Sequence, residues 1–177
     1  MIELKAPVFT INPKTGKIIL KKECNSVQYK CVSSVIYFEY PSYGPYDVDQ
    51  KIIVNNKLVM HAHYANIGGS MIYGPYDGDV EVILCGKVRL PAFRQPITAR
   101  IYRILEAQVD HLKPLTITIK TDSNMHVTIF VDNKRYVYTI NGTRKIVFSN
   151  VRDVEHKVCV FAGIVIYKNG KYIATAI

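Results

Sequence analysis

Along most of this chain apolar residues alternate with polar ones in short runs, and each run stops at Asn, Asp, Gly or Pro. A period of two marks a strand with one face buried. The pattern predicts strands at 8–11, 17–22, 27–40, 51–54, 57–64, 80–84, 87–90, 115–120, 126–131, 135–140, 144–149, 156–167 and 171–176. Between them one small signal recurs, a two-residue turn followed by Lys: Thr15-Gly16-Lys17, Asn55-Asn56-Lys57, Cys85-Gly86-Lys87, Asp132-Asn133-Lys134 and Asn169-Gly170-Lys171. Asn and Gly tolerate the positive φ of tight hairpins, where Val or Ile would be strained. A Lys after the turn keeps the hairpin end soluble and discourages edge-to-edge pairing. Asn141-Gly142-Thr143 fits a glycosylation sequon but reads better as another such turn. Many short strands joined by tight turns predict a mostly β fold, a β-sandwich of antiparallel hairpins, jelly-roll-like or immunoglobulin-like in outline.

One stretch breaks the pattern. Ile97, Ile101, Ile104, Leu105, Val109 and Leu112 follow at steps of four, three, one, four and three, which a helix would place on one face. Pro96 suits a first helical turn and Lys113-Pro114 a stop. One amphipathic helix near 97–112 is therefore expected.

The chain also repeats itself. Tyr43-Gly44-Pro45-Tyr46-Asp47 returns as Tyr73-Gly74-Pro75-Tyr76-Asp77, and the ungapped match runs on through Asp49/Asp79, Ile53/Ile83 and Lys57/Lys87. The duplicated unit, 43–60 and 73–90, reads as a corner plus a hairpin inside a single domain, 1–177, with Gly68-Gly69-Ser70 as a joint between the copies. Pro presets φ for a β-turn, and Tyr43, Tyr46, Tyr73 and Tyr76 flank Pro45 and Pro75 where they can stiffen each bend. A ligand reading competes: sugar rings against the tyrosines, or Ca²⁺ on Asp47, Asp49, Asp77 and Asp79. Calcium takes six or more oxygens, whereas each corner brings two carboxylates. The match also includes buried-type positions that no ligand needs. Architecture is the stronger reading of the corners.

Composition modifies this picture little. With 177 residues, 49% hydrophobic, the chain can bury a sizeable core without a metal or disulfide staple. Its thirteen Tyr agree with strands, and its abundant Lys with a thermophilic source. The opening residues lack a signal-peptide core and no window matches a membrane span, so synthesis in the cytoplasm is expected. Cys24, Cys31, Cys85 and Cys159 match no zinc or redox spacing and are expected as free thiols, with a Cys24–Cys31 bridge as the alternative.

The net charge of +9 points toward nucleic acid, although five lysines are already explained by turns. Lys87, Arg89, Arg94, Arg100 and Arg103 form a run without an acid; on a helix Arg100 and Arg103 would share a face and meet phosphates. The plainer alternative is a solvated face with Arg103 and Glu106 paired. His61-Ala62-His63 places two imidazoles on one side of a strand, as zinc sites do, and needs a third ligand such as His111, His126, His156 or a carboxylate. No nucleophile elbow or phosphate loop is present, so an enzyme is not expected and no cofactor is needed, with Ca²⁺ or Zn²⁺ as alternatives. The function expected first is structural: a self-assembling homo-oligomer, in a virion capsid or spike or an extracellular filament, joined through sheet edges, corners and terminal strands. A carbohydrate or nucleic-acid binding module comes next, and a small metal-dependent enzyme using His61 and His63 last.

Overall fold

In a computed structural model, residues 1–6, 10–11, 18–19, 23–40, 46–65, 68–88, 97–111, 114–149 and 156–177 are described. Among them the chain is all β. Its strands are β1 (Ile2–Ala6), β2 (Thr10–Ile11), β3 (Ile18–Ile19), β4 (Glu23–Tyr40), β5 (Tyr46–Val54), β6 (Lys57–Ala65), β7 (Gly69–Val88) and β8 (Ile97–Asp110). They continue as β9 (Leu115–Thr121), β10 (Met125–Val131), β11 (Lys134–Ile140), β12 (Thr143–Phe148), β13 (Val158–Ala162), β14 (Ile164–Lys168) and β15 (Lys171–Ala176). Every pairing is antiparallel. The large sheet runs β12-β9-β8-β4-β7-β5-β6, with β1 added beside β8; β11-β10-β13 form a second sheet, and β14-β15 and β2-β3 are two-stranded ribbons.

The helix expected near 97–112 is absent, and its residues form β8, a central strand held between β4 on one side and β1 and β9 on the other. The spacing misled because β8 is buried on both faces. Ile97, Ala99 and Ile101 enter one core, while Ile104, with Tyr102 beside it, enters another. A bulge between Ile104 and Glu106 then shifts the alternation again. The step of four from Ile97 to Ile101 thus stays on one face, and the step of three to Ile104 is the change of face.

The two cores lie on opposite faces of the large sheet. Val35 belongs to one and Ile36 to the other, and adjacent strand residues point opposite ways. The first core draws all its described members from the large sheet, including Phe38, Val48, Ile52, Val82 and Ile101, so that sheet curls around it. The second core is filled from β9, β10 and β12 together with Ala162, Val165 and Ala174 of β13–β15. Buried hydroxyls tie these layers together. Ser33 Oγ accepts from Ala162 N at 2.9 Å, and Thr128 Oγ1 accepts from Val165 N at 2.9 Å while donating to Gly163 O at 2.7 Å.

Chain length forces the curl. From Ala65 to Gly69 is four Cα steps, at most about 15 Å. Ala65 ends beside Asp47, which faces Lys87 near the far end of β7. A straight β7 would put Gly69 about 60 Å from Lys87, roughly twice what that connection and two strand spacings allow, so β7 bends. The bend lies where its ladder with β4 slips, between Gly78 opposite Cys31 and Tyr73 opposite Ile36.

The turn signals divide. Asn55-Asn56, Asp132-Asn133 and Asn169-Gly170 all take positive φ at both positions, as two-residue hairpins require. Cys85-Gly86 does not turn: the segments expected as separate strands at 80–84 and 87–90 are continuous in β7 as far as Val88. Thr15-Gly16 lies outside the described residues.

Candidate functional site

The second corner builds the bend in β7. Gly74 has φ +134°, and a Cβ there would lie 2.9 Å from the Ser34 carbonyl oxygen. Gly78, at φ +105°, leaves room for the Asn55 amide, whose Oδ1 accepts from Asp79 N at 2.9 Å. The ladder with β4 shifts register here, so this corner is a bulged bend within a strand instead of a reverse turn with Pro at its second position; its Gly74–Pro75 peptide is cis. Tyr73 and Tyr76 pack against the first core. The Tyr73 hydroxyl accepts from Gln50 Nε2 at 3.4 Å and lies 3.5 Å from the Tyr64 hydroxyl; Tyr40 donates to Gln50 Oε1. Burial, then the neighbouring Tyr64, pushes the Tyr73 phenol well above its ordinary range, and burial does the same to Tyr76. Both rings are thus partly buried. Tyr43 and Pro45 lie outside the described residues, as do the side chains of Tyr46 and Asp47.

The two copies meet each other. Ile52 faces Val82 in the β5–β7 ladder, and the same residues are equivalent in the repeat. The copies therefore run antiparallel about a local two-fold axis at that pair. Of the described Asp side chains, Asp77 and Asp79 are exposed beside the Asn55 turn, while Asp49 Oδ1 lies 2.6 Å from His61 Nε2. His63 is exposed on the same strand. Of the candidate third ligands, His126 meets the Ile177 carbonyl at 2.5 Å and His156 meets Asp132. Among the described residues no three His, Cys, Asp or Glu side chains gather as metal ligands.

Of the basic run, the described Arg100 and Arg103 do not share a face. Three apart on a strand, Arg100 and Arg103 project to opposite sides. Arg100 pairs with Glu39 at 3.0 Å and Glu3 at 3.6 Å, and Arg103 with Asp122 at 3.1 Å in place of the expected Glu106. Arg89, Arg94 and the Lys87 side chain lie outside the described residues.

Two features had no counterpart in the sequence reading. Cys24 and Cys85 form a disulfide where free thiols, or a Cys24–Cys31 bridge, were expected; they are direct partners in the β4–β7 ladder, which brings together residues 61 apart. Cys159 is free.

The second feature is a cleft between two hairpin tips, lined by Phe130, Asn133, Lys157, Tyr167 and Tyr172, with a volume of about 290 Å³. Tyr167 and Tyr172 face each other across the Asn169-Gly170 turn, ring centroids 4.8 Å apart. Tyr172 packs in turn on Phe161 at 4.6 Å and Phe130 at 5.2 Å. Opposite, Asp132 holds the chain at Lys157: its N–H donates to Lys157 O at 2.9 Å, its Oδ1 accepts from Lys157 N at 2.9 Å, and its Oδ2 meets the buried His156 ring. The His156 contact, followed by the Lys157 amide, holds the Asp132 carboxyl below its ordinary value. The available signal was the turn itself, since a two-residue turn at 169–170 makes Tyr167 and Tyr172 cross-strand neighbours. A second, larger and more open groove of about 550 Å³ crosses the polar face of β8, β9 and β12, between Gln108, Asp110, Thr118 and Lys145.

No protein-family model matches the chain, and no curated protein matches it. Two crystal structures of a GH2 β-galacturonidase from Eisenbergiella tayi, one bound to galacturonate and one to glycerol, align at TM-scores of 0.28 and 0.27 with 8% and 9% identity. Each alignment covers 83% of this chain and 36% of the galacturonidase. This chain thus spans about a third of those proteins, and so slight a likeness carries no argument about its fold or activity.

Proposed function

We propose that this chain is a structural subunit, a β-sandwich in outline, that assembles with copies of itself by adding strands edge to edge. The observation that carries the reading is β6. It ends the order of the large sheet among the described residues, and it leaves Leu58 52% and Val59 44% exposed. A nine-residue strand with an open edge and apolar side chains is a template for another strand. The β5–β7 pair supports it further, because there the repeated motif already pairs with its own copy about a two-fold axis. A virion coat or an extracellular filament is the kind of assembly such a subunit serves.

Light scattering and negative-stain microscopy across a concentration series test this. The expected result is growth from monomer to ordered oligomers, abolished by Leu58→Lys/Val59→Lys with thermal unfolding unchanged. A wild-type chain that stays monomeric at the highest soluble concentration overturns it.

A further inference from the structure

We propose that the cleft between the Asp132-Asn133 and Asn169-Gly170 turns is a glycan site that takes a single pyranose ring carrying an anionic substituent, a carboxylate or a sulfate. This goes beyond the assembly reading and does not depend on it.

Tyr167 is 59% exposed, the largest exposure among the described large hydrophobic side chains. It is nevertheless held in place, because Tyr172 braces it and Tyr172 is braced by Phe130 and Phe161. A rigid, amphipathic aromatic wall offers contact area at small entropic cost, and its face suits the C–H face of a sugar ring. The cleft, about 290 Å³, lies at the lower bound of small-molecule pockets, roughly 300 Å³. One ring fits, and an extended chain would continue outside.

The polar side of the cleft sets the charge. Asp132 does not line the cleft, and its half-exposed carboxylate meets the His156 ring and the Lys157 amide. The Lys157 ammonium has no carboxylate partner among the described residues, while its backbone is fixed by two hydrogen bonds to Asp132. Asn133, on the facing turn, adds an amide that both donates and accepts, as a sugar hydroxyl requires. A purely apolar ligand would leave Lys157 and Asn133 without partners, and a bare inorganic anion would make no use of the aromatic wall. An acidic sugar uses both.

The test is calorimetric titration of the full chain with a heparin-derived disaccharide, a hyaluronan tetrasaccharide and maltotriose. Binding of either acidic probe is expected, and which one binds distinguishes sulfate from carboxylate. Tyr167→Ala and Lys157→Gln should each weaken that binding about tenfold, the loss of one good contact, with melting temperature unchanged. Because the chain carries a net charge of +9, Lys145→Gln in the distant groove serves as the control and should leave binding intact. The proposal is overturned if neither acidic probe binds, if maltotriose binds as tightly, if Tyr167→Ala binds like wild type, or if Lys145→Gln weakens binding as much as Lys157→Gln.

Discussion

Single residues decide where this chain bends. At Gly74 a side chain would press on the Ser34 backbone oxygen, which cannot rotate away, and φ at +134° is already foreign to L residues. Gly74→Ala should cost at least ~1–3 kcal/mol, the usual price of such a backbone position, read as a lower urea midpoint. Asp132 bears a different load. Its carboxyl is held below the ordinary 3.8 by His156 first and the Lys157 amide second. A depressed folded pKa stabilises the fold above the unfolded value, and the contribution disappears as pH falls through the folded one. Asp132→Asn should therefore unfold at lower temperature than wild type near neutrality, and the two melting curves should converge in acid below the ordinary aspartate range. The Asn-rich turns were legible in the sequence, since backbone geometry selects residue type locally, whereas the roles of Gly74 and Gly78 depend on Ser34 and Asn55 of other strands. The partners of Asp132 were not, because His156 is 24 positions away and arrives through the β10–β13 pairing.

At the scale of elements, local pattern succeeded wherever a strand has one solvent face. β9, with burial alternating from Leu115 to Thr121, and β11, with Tyr136 and Tyr138 inward, follow their sequence alternation. It failed at β8, buried on both sides, where apolar residues from two faces merge into a helix-like series. It failed again at Cys85-Gly86, which aligns with the Asn55-Asn56 turn but runs straight because Cys85 lies in the ladder opposite Cys24. One buried hydroxyl, that of Thr128, joins β10 to both Gly163 and Val165. Thr128→Val keeps the shape but leaves the Val165 N–H and the Gly163 carbonyl without that partner. A loss of about 1–3 kcal/mol is expected for unsatisfied buried groups, measurable by denaturant unfolding and by faster amide exchange at Val165.

For the whole molecule, the Cys24–Cys85 bond closes a loop across 61 positions. In the chain-entropy account a loop of that length contributes roughly 4 kcal/mol. Cys24→Ser/Cys85→Ser should lower the denaturant midpoint accordingly, and reductant should affect wild type but not the variant; equal midpoints with and without reductant would contradict the bond. Residue types alone determined the antiparallel β character and the hairpin turns at Asn55-Asn56, Asp132-Asn133 and Asn169-Gly170, because each depends on neighbours within a few positions. Tertiary structure decided the rest. Only the curled sheet packs Tyr73 and Tyr76 against its core and separates Arg100 from Arg103, because strand order and face are set by which elements bury each other. The same packing brings two distant hairpin tips together around Tyr167 and Lys157, a proximity that no local spacing encodes.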